Sequence, residues 1–117
     1  MSTPFRVLVL CTGNSARSQI GEALLQTRGA ARAAGRVVAL SAGSRPAPRV
    51  NPFALETLAA HGIVWPDARP KSIEDVTGEP IDLVITVCDH AQEACPVFPG
   101  ARAQVHWGLP DPADHTD

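Results

Sequence analysis

The sequence predicts an α/β fold: a four-stranded parallel sheet with flanking helices, in three layers. Three short apolar runs are each followed by turn residues and have the pattern of buried strands, over residues 5–10, 37–43 and 81–88. A fourth strand is predicted near 103–106. Helical patterns separate most of these runs, and such alternation is typical of a parallel sheet that is covered by helices.

The first helix is predicted to begin near Ser18 and to end at Gly35, a residue type common at helix C-termini. Its less polar residues recur at helical spacing and define one face: Ile20, Ala23, Leu24, Thr27 and Ala31. Residues 45–50, which contain two prolines, and residues 63–71 are predicted to be irregular.

The second helix has clear signals at both ends. Asn51 suits the N-cap, Pro52 suits the first helical position, and Gly62 suits the end. Further on, Ser72 and Asp75 resemble a short capping box, which predicts one more helical turn.

Length and composition favour one domain over residues 1–117, large enough to bury a core. The net charge of −2 comes without a block of like charge, so we expect no nucleic-acid or membrane partner. The first residues, MSTPFR, lack the core of a signal peptide, and a cytoplasmic location is expected. The fold would place a helix after the fourth strand, where the chain ends at DPADHTD, so we expect that C-terminal helix to be missing.

The chain has three cysteines: Cys11, Cys88 and Cys95. An odd number outside a secreted context argues against a framework of structural disulfides. These cysteines are therefore either buried apolar residues or groups that carry chemistry.

The stretch CTGNSARS lies between the first predicted strand and the first helix, where a loop presents free backbone N–H groups and the positive end of the helix dipole. Gly13 and Asn14 tolerate left-handed backbone conformations, and Arg17 offers a planar fork to two anion oxygens. We therefore predict a site for a tetrahedral oxyanion. The predicted binding residues are Thr12, Gly13, Asn14, Ser15, Ala16, Arg17 and Ser18.

Cys11 stands at the entrance to this loop. The same N–H groups and Arg17 are expected to favour its thiolate, and Ser18 can donate a hydrogen bond to the sulfur. A thiolate that faces a bound oxyanion is arranged for nucleophilic attack on the central atom.

The C-x5-R-S pattern between a strand and a helix resembles the phosphate loop of low-molecular-weight protein tyrosine phosphatases and of the arsenate reductases that share their fold. The stretches VITVCDHAQEACPVFPG and HWGLPDPA are similar to the thioredoxin-coupled arsenate reductases, which carry a C-x6-C pair. SAGS (41–44), NPFALETLAAHGI (51–63) and the segment around Lys71 also fit, so that the resemblance extends from Arg6 to Ala113.

The resemblance implies a mechanism. Cys11 attacks arsenate, and Asp111 is the general acid that protonates the leaving oxygen. Cys88 then attacks Cys11, which releases arsenite and leaves a Cys11–Cys88 disulfide. Cys95 next forms a Cys88–Cys95 disulfide, which thioredoxin reduces. The family uses no bound cofactor, thioredoxin being an external reductant.

Some relatives also bind potassium beside the loop. Asn14, Glu22 and Ser41 match three of the ligands, but the fourth falls near Lys71, where no carboxylate stands. A lysine ammonium can replace the charge of the ion, and Glu22 and Ser41 would then serve as hydrogen-bond partners of the loop backbone. The four histidines lack metal-ligand spacing, so we predict no metal site.

Two other functions remain open on the sequence. A tyrosine phosphatase of the same fold would use Cys11, Arg17 and Asp111 but would need neither Cys88 nor Cys95. A non-catalytic oxyanion or redox sensor would use Cys11 as a switch. Phosphate and sulfate are expected to compete with arsenate, and weak phosphatase activity is expected because phosphate has the same shape.

Overall fold

A four-stranded parallel sheet forms the centre of the protein, in the strand order β2-β1-β3-β4. The computed structural model describes residues 4–14, 16–29, 36–64, 68–76, 78, 80–87 and 101–107. The strands are β1 (Phe5–Cys11), β2 (Val37–Gly43), β3 (Leu83–Thr86) and β4 (Ala103–His106). The predicted parallel sheet is confirmed, although β3 is shorter than the predicted 81–88, whose last residue, Cys88, lies outside the described residues.

The side chains of β1 alternate between two hydrophobic clusters. Val7, Val9 and Cys11 belong to one cluster, and Leu8 and Leu10 belong to the other. Because successive side chains of a strand point to opposite faces, β1 is buried on both sides of the sheet. This explains the continuous apolar run that predicted the strand.

The first helix, α1, runs from Arg17 to Leu24 and continues as a π-helical turn over Leu25–Gly29. Within this segment the hydroxyl of Thr27 donates to the carbonyl of Ala23 at 2.7 Å. The predicted end at Gly35 lies outside the described residues.

The buried face of α1 differs from the prediction. Its buried residues are Ser18, Gln19 and Ala23, whereas Leu24 is 37% exposed. The first turn of α1 lies against the polar loop after β1, so polar side chains rather than apolar ones fill the space there.

The second helix, α2 (Pro52–Ala60), has the predicted ends. The Asn51 side chain accepts a hydrogen bond from the backbone N–H of Phe53 at 2.9 Å, and Gly62 adopts a φ of 81° after the helix. Leu58 of α2 packs with Ala23 of α1, which places the two helices side by side.

A single 3-10 turn over Ile73–Val76 packs against the opposite face of the sheet, where Val76 joins the cluster of Leu8 and Leu10. The predicted capping contact is present: the backbone N–H of Ser72 donates to the Asp75 carboxylate at 2.9 Å and holds the pKa of Asp75 below its ordinary value. Helical elements thus lie on both faces of the sheet.

The strand order places a topological switch beside β1. The chain leaves β1 to form β2 on one side, and it returns to form β3 on the other. In open α/β sheets, ligands bind at such a switch, beyond the carboxyl ends of the strands. Cys11 is the last residue of β1 and lies at this edge. In the part of the chain that the structure describes, no helix has the length and apolar character that a membrane span requires.

Candidate active site

The loop between β1 and α1 leaves the first N–H groups of the helix without a side-chain cap. The N-cap residue is Ala16, whose side chain cannot accept a hydrogen bond, and the first turn of α1 contains no acidic residue. The N–H groups at a helix N-terminus and the helix dipole together favour an anion at this position. Of the predicted anion-binding residues, only Ser15 lies outside the described residues.

The thiol of Cys11 lies at the base of this loop and is 2% exposed. Its Sγ lies 2.8 Å from the Ser18 hydroxyl oxygen and accepts a hydrogen bond from the backbone N–H of Asn14 at 3.2 Å. The contact with Ser18 is the one expected from the sequence. Hydrogen bonds of this kind stabilise a thiolate relative to a thiol.

Asn14 links the thiol to the rest of the protein. It is fully buried and adopts a φ of 50°, the left-handed conformation that the sequence suggested for this residue type. Its side-chain Nδ2 donates to the Ser18 hydroxyl oxygen at 2.7 Å. Its Oδ1 accepts from the backbone N–H of Lys71 at 2.7 Å. The loop conformation is therefore fixed by contacts from α1 and from a distant segment.

The connection from β2 to α2 supports the other side of the loop. The backbone N–H of Arg45 donates to the Thr12 carbonyl, and that of Ala47 donates to the Gly13 carbonyl, both at 2.9 Å. With their carbonyls held outward by these bonds, the loop residues can direct N–H groups inward, as an anion nest requires.

Gly43 is a residue of this site that the sequence analysis did not assign. A Cβ atom built at this glycine would lie 2.4 Å from the Thr12 carbonyl oxygen and 3.0 Å from the Asn14 nitrogen. Only a glycine lets β2 approach the loop so closely. The signal in the sequence was the glycine of SAGS, directly at the end of a predicted strand.

Arg17 is the first residue of α1, and its guanidinium reaches the residue that follows β3: Nη1 donates to the Val87 carbonyl at 3.4 Å. Val87 in turn donates its N–H to the Leu10 carbonyl at 2.9 Å and shares a hydrophobic cluster with Cys11. Val87 is the residue before Cys88 in the chain.

Three of the predicted catalytic residues lie outside the described residues: Cys88, Cys95 and Asp111. Their roles therefore stay predictions.

A second polar cluster lies beside the loop and joins Glu22, Ser41 and Lys71. The Glu22 carboxylate accepts from the Ser41 hydroxyl at 2.6 Å and from the Lys71 ammonium at 3.2 Å. Lys71 Nζ also lies 3.5 Å from Ser41 Oγ. The ammonium thus occupies the side of the loop where the resemblance suggested a cation, and Glu22 and Ser41 bind it and each other.

This cluster is a hydrogen-bonded ion pair. Among the described residues, no group of three histidine, cysteine or acidic side chains is placed to hold a metal ion. The lysine supplies a positive charge to a mostly buried carboxylate, which would be left uncompensated without it.

The arrangement has a definite chemical capacity. A helix N-terminus, the N–H groups of the loop and a guanidinium can hold a tetrahedral anion, and a hydrogen-bonded sulfur lies at the base of the same loop. Such a sulfur can attack the central atom of the anion.

Comparison with known proteins agrees with this assignment. A sequence model of the low molecular weight phosphotyrosine protein phosphatase family matches residues 6–116. Arsenate reductase 1 of Bacillus cereus is 38% identical over 107 residues, which cover 92% of this chain and 76% of that protein.

Solved structures give the same result. The thioredoxin-dependent arsenate reductase of Corynebacterium glutamicum superimposes with a TM-score of 0.72 at 37% identity, over 92% of this chain. This chain spans about half of that protein, 51% of its length. The arsenate reductase of Archaeoglobus fulgidus gives a TM-score of 0.74 at 32% identity, over 92% of this chain and 80% of the other. The chain therefore belongs to the low molecular weight phosphotyrosine protein phosphatase family, among its arsenate reductase members.

Proposed function

We propose that this protein reduces arsenate to arsenite through a relay of three cysteines, Cys11, Cys88 and Cys95, with thioredoxin as the external reductant. The observation that carries the proposal is the Cys11 sulfur, which has two hydrogen-bond partners at the base of an anion loop. The names of the relatives support the substrate, and the name of the Corynebacterium glutamicum protein supports the reductant.

Arsenate binds with its oxygens on the loop N–H groups and on the Arg17 guanidinium. Phosphate and sulfate compete because they have the same tetrahedral shape and their negative charge meets the same donors. No bound cofactor is required, since the cysteines supply the electrons.

The first chemical step forms a bond between sulfur and arsenic. The Cys11 thiolate attacks the arsenic(V) atom, and one oxygen leaves as water after Asp111 donates a proton. Arsenic remains at oxidation state +5 in this adduct.

The second step reduces arsenic. The Cys88 thiolate attacks the Cys11 sulfur, the sulfur–arsenic bond breaks, and its electron pair stays on arsenic, which leaves as arsenite. Two thiols have lost two electrons and form the Cys11–Cys88 disulfide. The Cys95 thiolate then attacks Cys88, frees Cys11 and forms the Cys88–Cys95 disulfide, which thioredoxin reduces with two electrons.

The position of Val87 supports the second step. The backbone N–H of Val87 donates a hydrogen bond to the end of β1, and its carbonyl accepts one from Arg17. Val87 is also the residue directly before Cys88 in the chain. Because thioredoxin systems keep thiols reduced in the cytoplasm, the proposal also places the protein there.

The test is arsenate-dependent oxidation of NADPH in the presence of thioredoxin and thioredoxin reductase. We expect turnover in the wild type and none in Cys11→Ser, Cys88→Ser or Cys95→Ser. Arsenite release without thioredoxin separates the steps: Cys95→Ser releases one arsenite per chain, whereas Cys88→Ser releases none.

A different result would favour the alternative hypothesis of a tyrosine phosphatase, a function that the name of the matching family also suggests. If the wild type shows no arsenate turnover but hydrolyses an aryl phosphate, and neither Cys88→Ser nor Cys95→Ser changes that rate, the relay is wrong. Weak aryl-phosphate hydrolysis beside arsenate turnover is expected, because the same loop and thiolate serve both anions.

A further inference from the structure

Gln19 is a fully buried glutamine in the first turn of α1, and the relay does not use it. Its Nε2 atom lies within hydrogen-bond distance of three oxygens: 3.2 Å from the Asn14 carbonyl, 3.0 Å from Asn14 Oδ1 and 2.8 Å from the Arg69 carbonyl. All three oxygens are acceptors, so only the NH₂ end of the amide can face them. The orientation of the amide is therefore fixed.

This orientation leaves the other end of the amide without a partner. Gln19 Oε1 is buried, and no hydrogen-bond donor reaches it in the part of the chain that the structure describes. A buried acceptor without a donor is uncommon and destabilising. The contacts made by Nε2 are what offset that loss, and all of them go to the loop or to the segment that holds it.

The hydrogen-bond donors around Asn14 show which end of its side-chain amide is the oxygen. The backbone N–H of Lys71 can only donate, so the Asn14 atom that it contacts at 2.7 Å is the oxygen. Gln19 donates to the same oxygen. With both lone pairs of Oδ1 engaged, the Nδ2 of Asn14 faces Ser18 and donates to its hydroxyl oxygen at 2.7 Å.

The orientation of the Asn14 side chain in turn affects the hydrogen bond between Ser18 and the Cys11 sulfur. Because the Ser18 oxygen already accepts from Asn14, its own proton is free to point at Cys11 Sγ, 2.8 Å away. A chain of donors thus runs from Gln19 and Lys71 through Asn14 and Ser18 to the sulfur. Each bond in such a chain polarises the next, which favours negative charge at its end.

We infer that Gln19 is a positioning residue for the Cys11 nucleophile: its amide fixes Asn14 so that Ser18 donates to the sulfur. Gln19 touches neither the anion nor the reacting atoms. This inference rests on the proposed function only insofar as Cys11 is the nucleophile, and it holds whether the anion is arsenate or phosphate.

The test compares Gln19→Met with Gln26→Met in the full chain. Methionine has nearly the volume of glutamine but no amide. Gln26 is the matched control: its side chain also bonds to backbone, accepting from the Ala39 N–H at 2.9 Å, and it lies seven residues further from the loop along the helical segment. The readout is the rate of iodoacetamide alkylation at Cys11 as a function of pH, with peptide masses distinguishing Cys11 from the other two cysteines.

We expect Gln19→Met to slow alkylation at pH 7 about fivefold, as the loss of one hydrogen bond of ordinary net strength implies. The midpoint of its pH profile moves to higher pH, and its affinity for inorganic phosphate falls. Gln26→Met changes neither quantity. A folded Gln19→Met protein with the wild-type pH profile would overturn the inference, as would an equal effect in Gln26→Met.

A second variant covers the case in which Gln19→Met does not fold. Gln19→Asn keeps a polar amide but shortens the side chain by one methylene, which withdraws the NH₂ group from Asn14 Oδ1 and from the Arg69 carbonyl. Alkylation should then be slowed about as much as in Gln19→Met, because the same hydrogen bond to Asn14 is lost. Alkylation at the wild-type rate would refute the inference.

The outcome is separate from that of the proposed function, since alkylation and phosphate binding require no reduction of arsenate. If Gln19→Met slows alkylation of Cys11 as expected and arsenate is never reduced, only the proposed function fails. If arsenate is reduced and Gln19 shows no effect, only this inference fails.

Discussion

The two halves of the sheet are built differently. β1 and β2 pair over seven residues, and most of β2 is buried or partly buried. β3 and β4 pair over four residues, and every residue of β4 is exposed. The first half carries the anion loop and its hydrogen-bond network, whereas the second half leads into Cys88.

The difference matches the chemistry proposed for each half. Binding a tetrahedral anion requires donors that are already in place, because donors that must reorganise contribute less to binding and to the transition state. Disulfide exchange requires the opposite, since one sulfur must meet two different partners in turn. A closely supported loop beside a short strand pair, whose outer strand β4 is exposed, provides for both requirements.

Gly43→Ala is expected to have the largest effect, because it disturbs the support that β2 gives to the loop. The added Cβ would lie 2.4 Å from the Thr12 carbonyl oxygen, so backbone must move. We expect the free energy of unfolding to fall by about 3 kcal/mol, the upper part of the range for overpacking. Phosphate affinity should fall at least about tenfold, because displaced donors no longer fit the anion.

Gly78→Ala is the matched control, since no atom of the described residues would lie within 4 Å of a Cβ there. Urea unfolding and phosphate titration of both variants check the prediction. Equal behaviour of the two variants would mean that the close approach of β2 does not support the loop.

A comparison of two ion pairs tests the next largest effect. Lys71–Glu22 lies beside the loop, with side chains 16% and 13% exposed. Arg102–Asp82 lies beside β3 and β4 at 3.6 Å, and its arginine is 82% exposed. Lys71→Met should lower the free energy of unfolding by about 1–3 kcal/mol, because it leaves a mostly buried carboxylate without its partner. Arg102→Met should cost less than about 1 kcal/mol.

Urea unfolding of both variants measures these losses. The double variant Lys71→Met/Glu22→Gln should recover part of the first loss, since no unpaired charge remains. If both single variants lose the same free energy of unfolding, the greater burial of the Lys71–Glu22 pair does not make it more important than the Arg102–Asp82 pair.

The smallest expected effect concerns the dependence of stability on pH. The hydrogen bond from the Ser72 backbone lowers the pKa of Asp75 below 3.8. A lowered folded-state pKa adds stability that is present above the unfolded-state pKa and is lost as pH falls through the folded-state value. Asp75→Asn should therefore be slightly less stable than the wild type at pH 7 and should lose less stability than the wild type below about pH 4.

Thermal melting between neutral and acid pH checks this prediction. Glu56→Gln on α2, which removes an exposed carboxylate elsewhere, is the control and should follow the wild type. An Asp75→Asn variant with the wild-type acid dependence would contradict the prediction.

The strands and the ends of α2 could be predicted from the sequence alone. The apolar runs located the strands, and Asn51, Pro52 and Gly62 marked both ends of α2, because these signals act through a few neighbouring residues. The position of Cys11 between a strand and a helix, six residues before Arg17, was enough to predict an anion loop with a sulfur at its base.

The contacts that hold the loop could not be predicted from the sequence, because they depend on how distant segments pack together. Gly43, Gln19 and Lys71 come from three separate parts of the chain, and each is needed because of what another segment brings against it. The sequence predicted apolar burial for α1 from its period, but a polar loop covers its first turn and Ser18 and Gln19 fill the space. Local patterns specify elements, whereas close backbone approach and the pairing of buried polar atoms depend on which elements meet.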